Sequence, residues 1–242
     1  MYKRQVLTEE KARQIEVLNV SDDNIKEVLG DRAPITSLMG IRYLRYVKDL
    51  NCSGQELKKT LNLEQNSRVE KLNCSGNQLT GLWFHKGSSL KYLTCSVSEF
   101  AALDLSKCSE LIELSCGSNK LTSLDLSANT KLQKISAGSN KLTALDTRNL
   151  PELTDLNLWG NHDLKSIDVS KNTKLEFLSA CHGKLTSLNV KNNRKLVELY
   201  VYNNQLTALD VSSNYLLKKL SCYENQITAL DLSYNGALES LS

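Results

Sequence analysis

The chain has 242 residues, 40% of them hydrophobic and 24% charged, with a formal charge of +3. That is enough apolar material for a sizeable core, no apolar run is long enough to span a bilayer, and two prolines and eleven glycines exclude collagen-like or low-complexity sequence. The near-neutral balance, with no basic stripe, gives no reason to expect nucleic acid as a partner.

Taken from the N-terminus, residues 1–5 (MYKRQ) resemble the in-frame translation of a transposon-derived sequencing adapter and fit no helix, strand or signal-peptide pattern. The alternative is a native N-terminus that reads this way. On the adapter reading Lys3 and Arg4 account for two of the three positive units, and the missing leader says nothing about localisation. Residues 6–46 read as a helical N-terminal cap followed by an irregular entry repeat. Thr8 before Glu9 and Glu10 offers a helix start, Ala12, Ile15 and Leu18 share a face, and residues 21–29, closed by Gly30, suit a second short helix. A competing reading makes Leu18, Val20 and Ile25 a degenerate repeat.

From residue 47 to the end the sequence is periodic. Repeat-opening positions fall at Val47, Val69, Leu90, Leu111, Leu132, Leu153, Leu175, Leu196, Leu217 and Leu238, with spacings of 21 or 22 residues, giving nine complete units and a stub. The clearest unit, LIELSCGSNKLTSLDLSANTK from Leu111, places apolar residues at Leu111, Leu114, Cys116, Leu121, Leu124 and Leu126 and asparagines at Asn119 and Asn129. This is the leucine-rich pattern LxxLxLxxNxL, with about ten residues left for the return half of each coil, too few for a long helix. LTSLDLS alternates apolar and polar residues, so two mostly extended faces are expected. The expected fold is a leucine-rich-repeat solenoid of the α/β horseshoe class, mostly β with short turns, wound as a right-handed curved superhelix. Its coils stack at about 4.8 Å because no unit can cover its own apolar side. The last unit stops after Leu238 and Leu241 without a polar cap, which predicts a fragment with an open apolar end.

Cys52, Cys74, Cys95, Cys116 and Cys222 share one inward position and are followed in most units by N-x-L-T-x-L-D-L-S. In this the chain resembles the cysteine-ladder repeats of bacterial internalin-type surface proteins. Ala137, Leu158, Ala180 and Val201 replace the ladder cysteine, and Gln55, Ser98 and Gly183 replace the first asparagine. The resemblance implies a secreted or cell-surface binding and adhesion module.

The ladder cysteines read as buried free thiols, because parallel side chains do not converge as a disulfide requires. Cys108, in a turn, and Cys181, one place beyond the inward position, are expected to be the accessible ones. His85, His162 and His182 do not gather as metal ligands, and Cys181 with His182, adjacent on an extended strand, should not form a nucleophile and base. No catalytic, cofactor or metal residue is predicted. Asn77, Asn119, Asn140, Asn161, Asn204 and Asn225 form one column, and Asn129, Asn172, Asn193, Asn214 and Asn235 most of another; both should satisfy turn backbone. Asp104, Asp125, Asp146, Asp168, Asp210 and Asp231 align as well, held by neighbouring Ser, Thr and Lys or, alternatively, by calcium.

One outward row of the front strands reads Ser75, Ser96, Gly117, Gly138, Trp159, Cys181, Tyr202 and Tyr223, with Phe177 and Tyr200 in neighbouring rows. Small residues give way to aromatics toward the C-terminal half. Trp159, Phe177, Tyr200, Tyr202 and Tyr223 are therefore the candidate ligand-binding residues, for a protein or a glycan; ordinary cross-strand packing is the alternative. An intracellular scaffold that regulates a partner enzyme is the other functional reading.

Overall fold

The computed structural model describes residues 9–21, 23 and 34–242. The second helix expected over residues 21–29 falls almost wholly outside the described residues. A short helix α1 (Glu9–Arg13) precedes strand β1 (Val17–Asn19), and a 3-10 turn (Met39–Tyr43) leads into β2 (Asp49–Asn51). Each later coil contributes one short front strand: β4 (Lys71–Asn73), β6 (Tyr92–Thr94), β7 (Glu113–Ser115), β8 (Lys134–Ser136), β9 (Asp155–Asn157), β10 (Phe177–Ser179), β11 (Glu198–Tyr200), β12 (Lys219–Ser221) and β13 (Ser240–Leu241). With β1 and β2 they form one eleven-stranded parallel sheet.

The register follows the repeat. Leu50, Leu72, Leu93, Leu114, Ile135, Leu156, Leu178, Leu199, Leu220 and Leu241 stand opposite one another in turn, and Leu18 of β1 joins the row opposite Leu50. From Leu50 to Leu220 these central residues are almost wholly buried, and each contributes about 1.5–3 kcal/mol by leaving water. Stacking also supplies the backbone partners, since every strand within the stack bonds its two neighbours.

The return side differs from the sequence expectation. Only the first two coils make extended arms that pair there, β3 (Lys58–Leu63) with β5 (Gln78–Phe84). Farther along, one parallel bridge, Asp146 to Asp168, is the sole pairing among the described residues. At Asp104, Asp125, Asp146, Asp168, Asp210 and Asp231 each carboxylate accepts the backbone N–H two residues on, at 2.9–3.0 Å, and closes the turn that follows the arm. Between Asp168 and Asp210 the column holds Asn189, which accepts the Lys191 N–H in the same way through an amide oxygen, so the turn needs an acceptor and not a charge. Among the described residues no group of side chains gathers to hold a metal ion.

The turn after each front strand from β2 to β12 has a left-handed residue. Gly54, Gly76, Val97, Ser118, Ser139, Gly160, His182, Asn203 and Glu224 all have φ between 52° and 71°. For a β-branched residue such as Val97 this conformation is strained.

The first asparagine column is fully used. Asn140 Nδ2 donates to Cys116 O at 3.0 Å and Ala137 O at 3.1 Å, and its Oδ1 accepts Leu121 N–H at 3.0 Å. Asn77, Asn119, Asn161, Asn204 and Asn225 repeat the arrangement. In the second column, which also includes Asn66, Nδ2 donates to two carbonyls of the preceding coil; Asn214, for example, reaches Val190 O and Asn193 O at 3.1 and 2.8 Å. The Oδ1 atoms of Asn66, Asn129, Asn193, Asn214 and Asn235 are buried without a partner.

All seven cysteines are free. Burial pushes the Cys52 and Cys116 thiols up to about 12. Cys108 and Cys181 correct the sequence expectation, because both are buried. Cys108 occupies the second asparagine column, where the turn points inward, and burial pushes its thiol up to about 12. Cys181 lies between Trp159 and Tyr202 in the outward row, with the Tyr202 side chain against its sulfur. Cys222, in the ninth coil, is the one that is partly exposed.

Candidate ligand-binding face

Alternation along each three-residue strand turns its first and third side chains outward while the central leucine fills the core. The next outward row lies just beyond the strands, before the left-handed turn residue. Trp159, Tyr202 and Tyr223 are there, and Trp159 and Tyr223 remain 43% and 47% exposed although their rings touch others. Phe177 opens β10 and Tyr200 closes β11.

The rings form two contact groups. Tyr202 stacks flat on Tyr223, with centroids 4.6 Å apart and planes 5° from parallel. Trp159 Nε1 donates to the Tyr202 hydroxyl at 3.3 Å. Between them His182 meets Trp159 edge-on at 5.6 Å and Tyr202 at 5.1 Å, and His162 lies 6.2 Å from His182. The second group is Phe177 with Tyr200, tilted at 5.8 Å. The Tyr200 hydroxyl donates to Glu198 at 2.9 Å, and Lys219 pairs with the same carboxylate at 2.8 Å. The Lys219 bond holds the Glu198 carboxyl below the usual carboxylate range, and desolvation raises the Tyr200 phenol.

Sequence reasoning missed His182 as the link between Trp159 and Tyr202. The signal lay in the repeat alignment, where His182 takes the place of Gly54, Gly76 and Gly160 at the left-handed turn. The sixth coil is one residue longer than its neighbours, and the extra residue follows Asn161, which carries His162 toward His182.

Beside the rings the face is smooth. Gly117 and Gly138 continue the Trp159 row, where an added Cβ would come within 3.0 Å of Gly138 O and 2.8 Å of Trp159 O respectively. A trough of about 320 Å³ crosses β6 to β10, lined by Tyr92, Thr94, Glu113, Ser115, Lys134, Ser136, Asp155, Asn157 and Phe177 above the buried leucines.

This architecture has solved counterparts. The functional domain of InlJ from Listeria monocytogenes, described as including a cysteine ladder, is 28% identical and superposes with a TM-score of 0.75 over 97% of this chain and 54% of that one. The chain is a leucine-rich-repeat solenoid of internalin-like build. The leucine-rich-repeat protein LIC12759 of Leptospira interrogans (22% identity, TM-score 0.78, 99% of this chain and 75% of that one) has the same fold. So does a plant peptide hormone receptor, RGFR1, solved in complex with RGF2 (19%, TM-score 0.64, 76% and 33%). The solenoid spans about half the length of the InlJ domain. No protein-family model matches the sequence, and no curated relative does. Among the described residues no helix is long and apolar enough to cross a membrane.

Proposed function

We propose that this solenoid is the non-catalytic binding module of a secreted or surface-attached bacterial protein, and that it takes a protein or glycan ligand on the front face at Trp159, Phe177, Tyr200, Tyr202 and Tyr223. The observation that carries this reading is the concentration of half-exposed, mutually supported rings in one part of a sheet whose other outward positions, Tyr92 apart, are small, polar or charged. Rings pinned by neighbours lose little entropy on binding and offer large contact area, the property of interface anchors. The surface-attached setting is supported by the similarity to InlJ.

The seven unpaired thiols favour a second setting, an intracellular scaffold that holds a partner enzyme, since disulfides are rare in reducing compartments. A leader and an anchoring segment on the full-length gene would decide for the surface.

Ligands selected from a displayed peptide library and a glycan array provide the test. Trp159→Ala and Tyr202→Ala should each weaken binding of the selected ligand by about 2 kcal/mol or more, roughly thirtyfold, with little change in thermal midpoint. Unchanged binding with a large loss of stability would make the rings cross-strand packing and remove the site.

A further inference from the structure

From the trough beside the rings we infer a second element of the same site: a track for a neutral oligosaccharide laid along the solenoid axis from Tyr92 to Phe177. The inference rests on the binding reading above and names the ligand class. Tyr92 and Phe177 close the trough at its two ends, four strand spacings or about 19 Å apart. Lys71 Nζ lies 5.6 Å from the Tyr92 ring centroid, and Tyr200 backs Phe177, so both rings are braced as stacking platforms.

Over a largely apolar floor, a few outward polar atoms are free to bond hydroxyl groups. Thr94 Oγ1, Ser136 Oγ and Asn157 Nδ2 have no protein partner among the described residues, while Asn157 Oδ1 is fixed by Trp159 N–H and Ser115 Oγ bonds Ser96 Oγ at 3.1 Å. Every strand beneath is paired on both sides, so the sheet offers a ligand no free backbone edge and side chains alone must recognise it.

Charge selects a neutral occupant. Inside the trough Lys134 stands between Glu113 and Asp155, and along the wider first outward row from β4 to β12 Lys71, Lys134 and Lys219 balance Glu113, Asp155 and Glu198. A strongly acidic or basic polymer would gain nothing from such a row. An extended peptide advances about 3.3 Å per residue against a strand spacing of about 4.8 Å, so along this axis its side chains do not repeat with the rows. A pyranose ring is close to one strand spacing in length, so successive sugars meet equivalent positions on successive coils.

The test uses the whole chain against an array of neutral hexose and N-acetylhexosamine oligomers of increasing length, with sialylated and sulfated oligomers alongside. Affinity should rise with each ring until the oligomer spans the trough and then level off, and it should be insensitive to salt. Ser136→Trp, which fills the trough from an outward position, should weaken binding by about tenfold or more. Ser136→Ala, which removes only the hydroxyl, should weaken it several-fold even if the tryptophan variant folds poorly. Binding of charged oligomers only, or binding untouched by both variants, overturns the track. Selection of a displayed peptide that needs Trp159 and Tyr202 while no oligomer binds also overturns it, and leaves the binding face itself standing.

Discussion

The two asparagine columns look alike in the repeat and behave differently in the fold. On the front side Asn77, Asn119, Asn140, Asn161, Asn204 and Asn225 use both ends of the amide, while at the back turns Asn66, Asn129, Asn193, Asn214 and Asn235 leave a buried carbonyl oxygen without a partner. Asn172 is the exception: its Oδ1 is 2.7 Å from the hydroxyl of Thr147, which stands where other coils have Leu126, Val169, Val190 or Val211. The same coil has Leu150 in the asparagine column, so its two inward turn positions have exchanged polarity. A column of identical residues therefore contributes unequally, according to what each amide end meets.

The largest effect expected from this comparison is between the columns. Asn140→Ala strips partners from two carbonyls and one N–H inside the stack and should cost about 3 kcal/mol. Asn214→Ala frees two carbonyls but also removes an already unsatisfied oxygen, and should cost about 1 kcal/mol less. Denaturant unfolding of the pair measures the difference, and equal losses would mean that the orphaned oxygens carry no penalty. The exception tests the same balance within one column. Thr147→Val orphans the Asn172 oxygen as its siblings are orphaned and should cost about 1 kcal/mol, whereas Val190→Thr, which offers Asn214 the missing hydroxyl, should be neutral or slightly stabilising. A clear loss in Val190→Thr would show that only the geometry of the fifth coil accepts a hydroxyl there.

The aspartate turns sharpen the contrast between polar columns by pH. Hydrogen bonds from Arg148, first from its side chain and then from its backbone, hold the Asp146 carboxyl down to about 2, and hydrogen bonds from the following serines lower Asp104, Asp125, Asp168, Asp210 and Asp231. A carboxyl with a depressed value stabilises the fold fully above its ordinary value and loses that contribution as pH falls through the folded one. The thermal midpoint should therefore fall between about pH 4 and pH 2, and Asp146→Asn, which copies Asn189, should flatten that fall. Neither asparagine column contributes to it. An unaltered pH profile in Asp146→Asn would assign the acid sensitivity elsewhere.

The amino-acid sequence by itself determined the repeat and its direct consequences. The period, the inward rows of leucine and cysteine, the parallel register and the outward rows with their aromatic members were legible, because a side chain's face on a strand is set by its parity and a repeat fixes parity in every coil. Tertiary structure decided whatever depends on the neighbouring coil. Cys108 reads as an exposed turn residue until the stack shows it in an asparagine position, and Cys181 reads as outward until the side chains flanking it cover it. The return arms alternate as strands do, yet past β5 they form no ladder, and their aspartates accept the backbone N–H two residues on. His182 became part of the aromatic group, and Thr147 the partner of Asn172, only when coils met at strand spacing. Pattern along one strand gives direction; contact, burial and the satisfaction of polar atoms are properties of two coils at once.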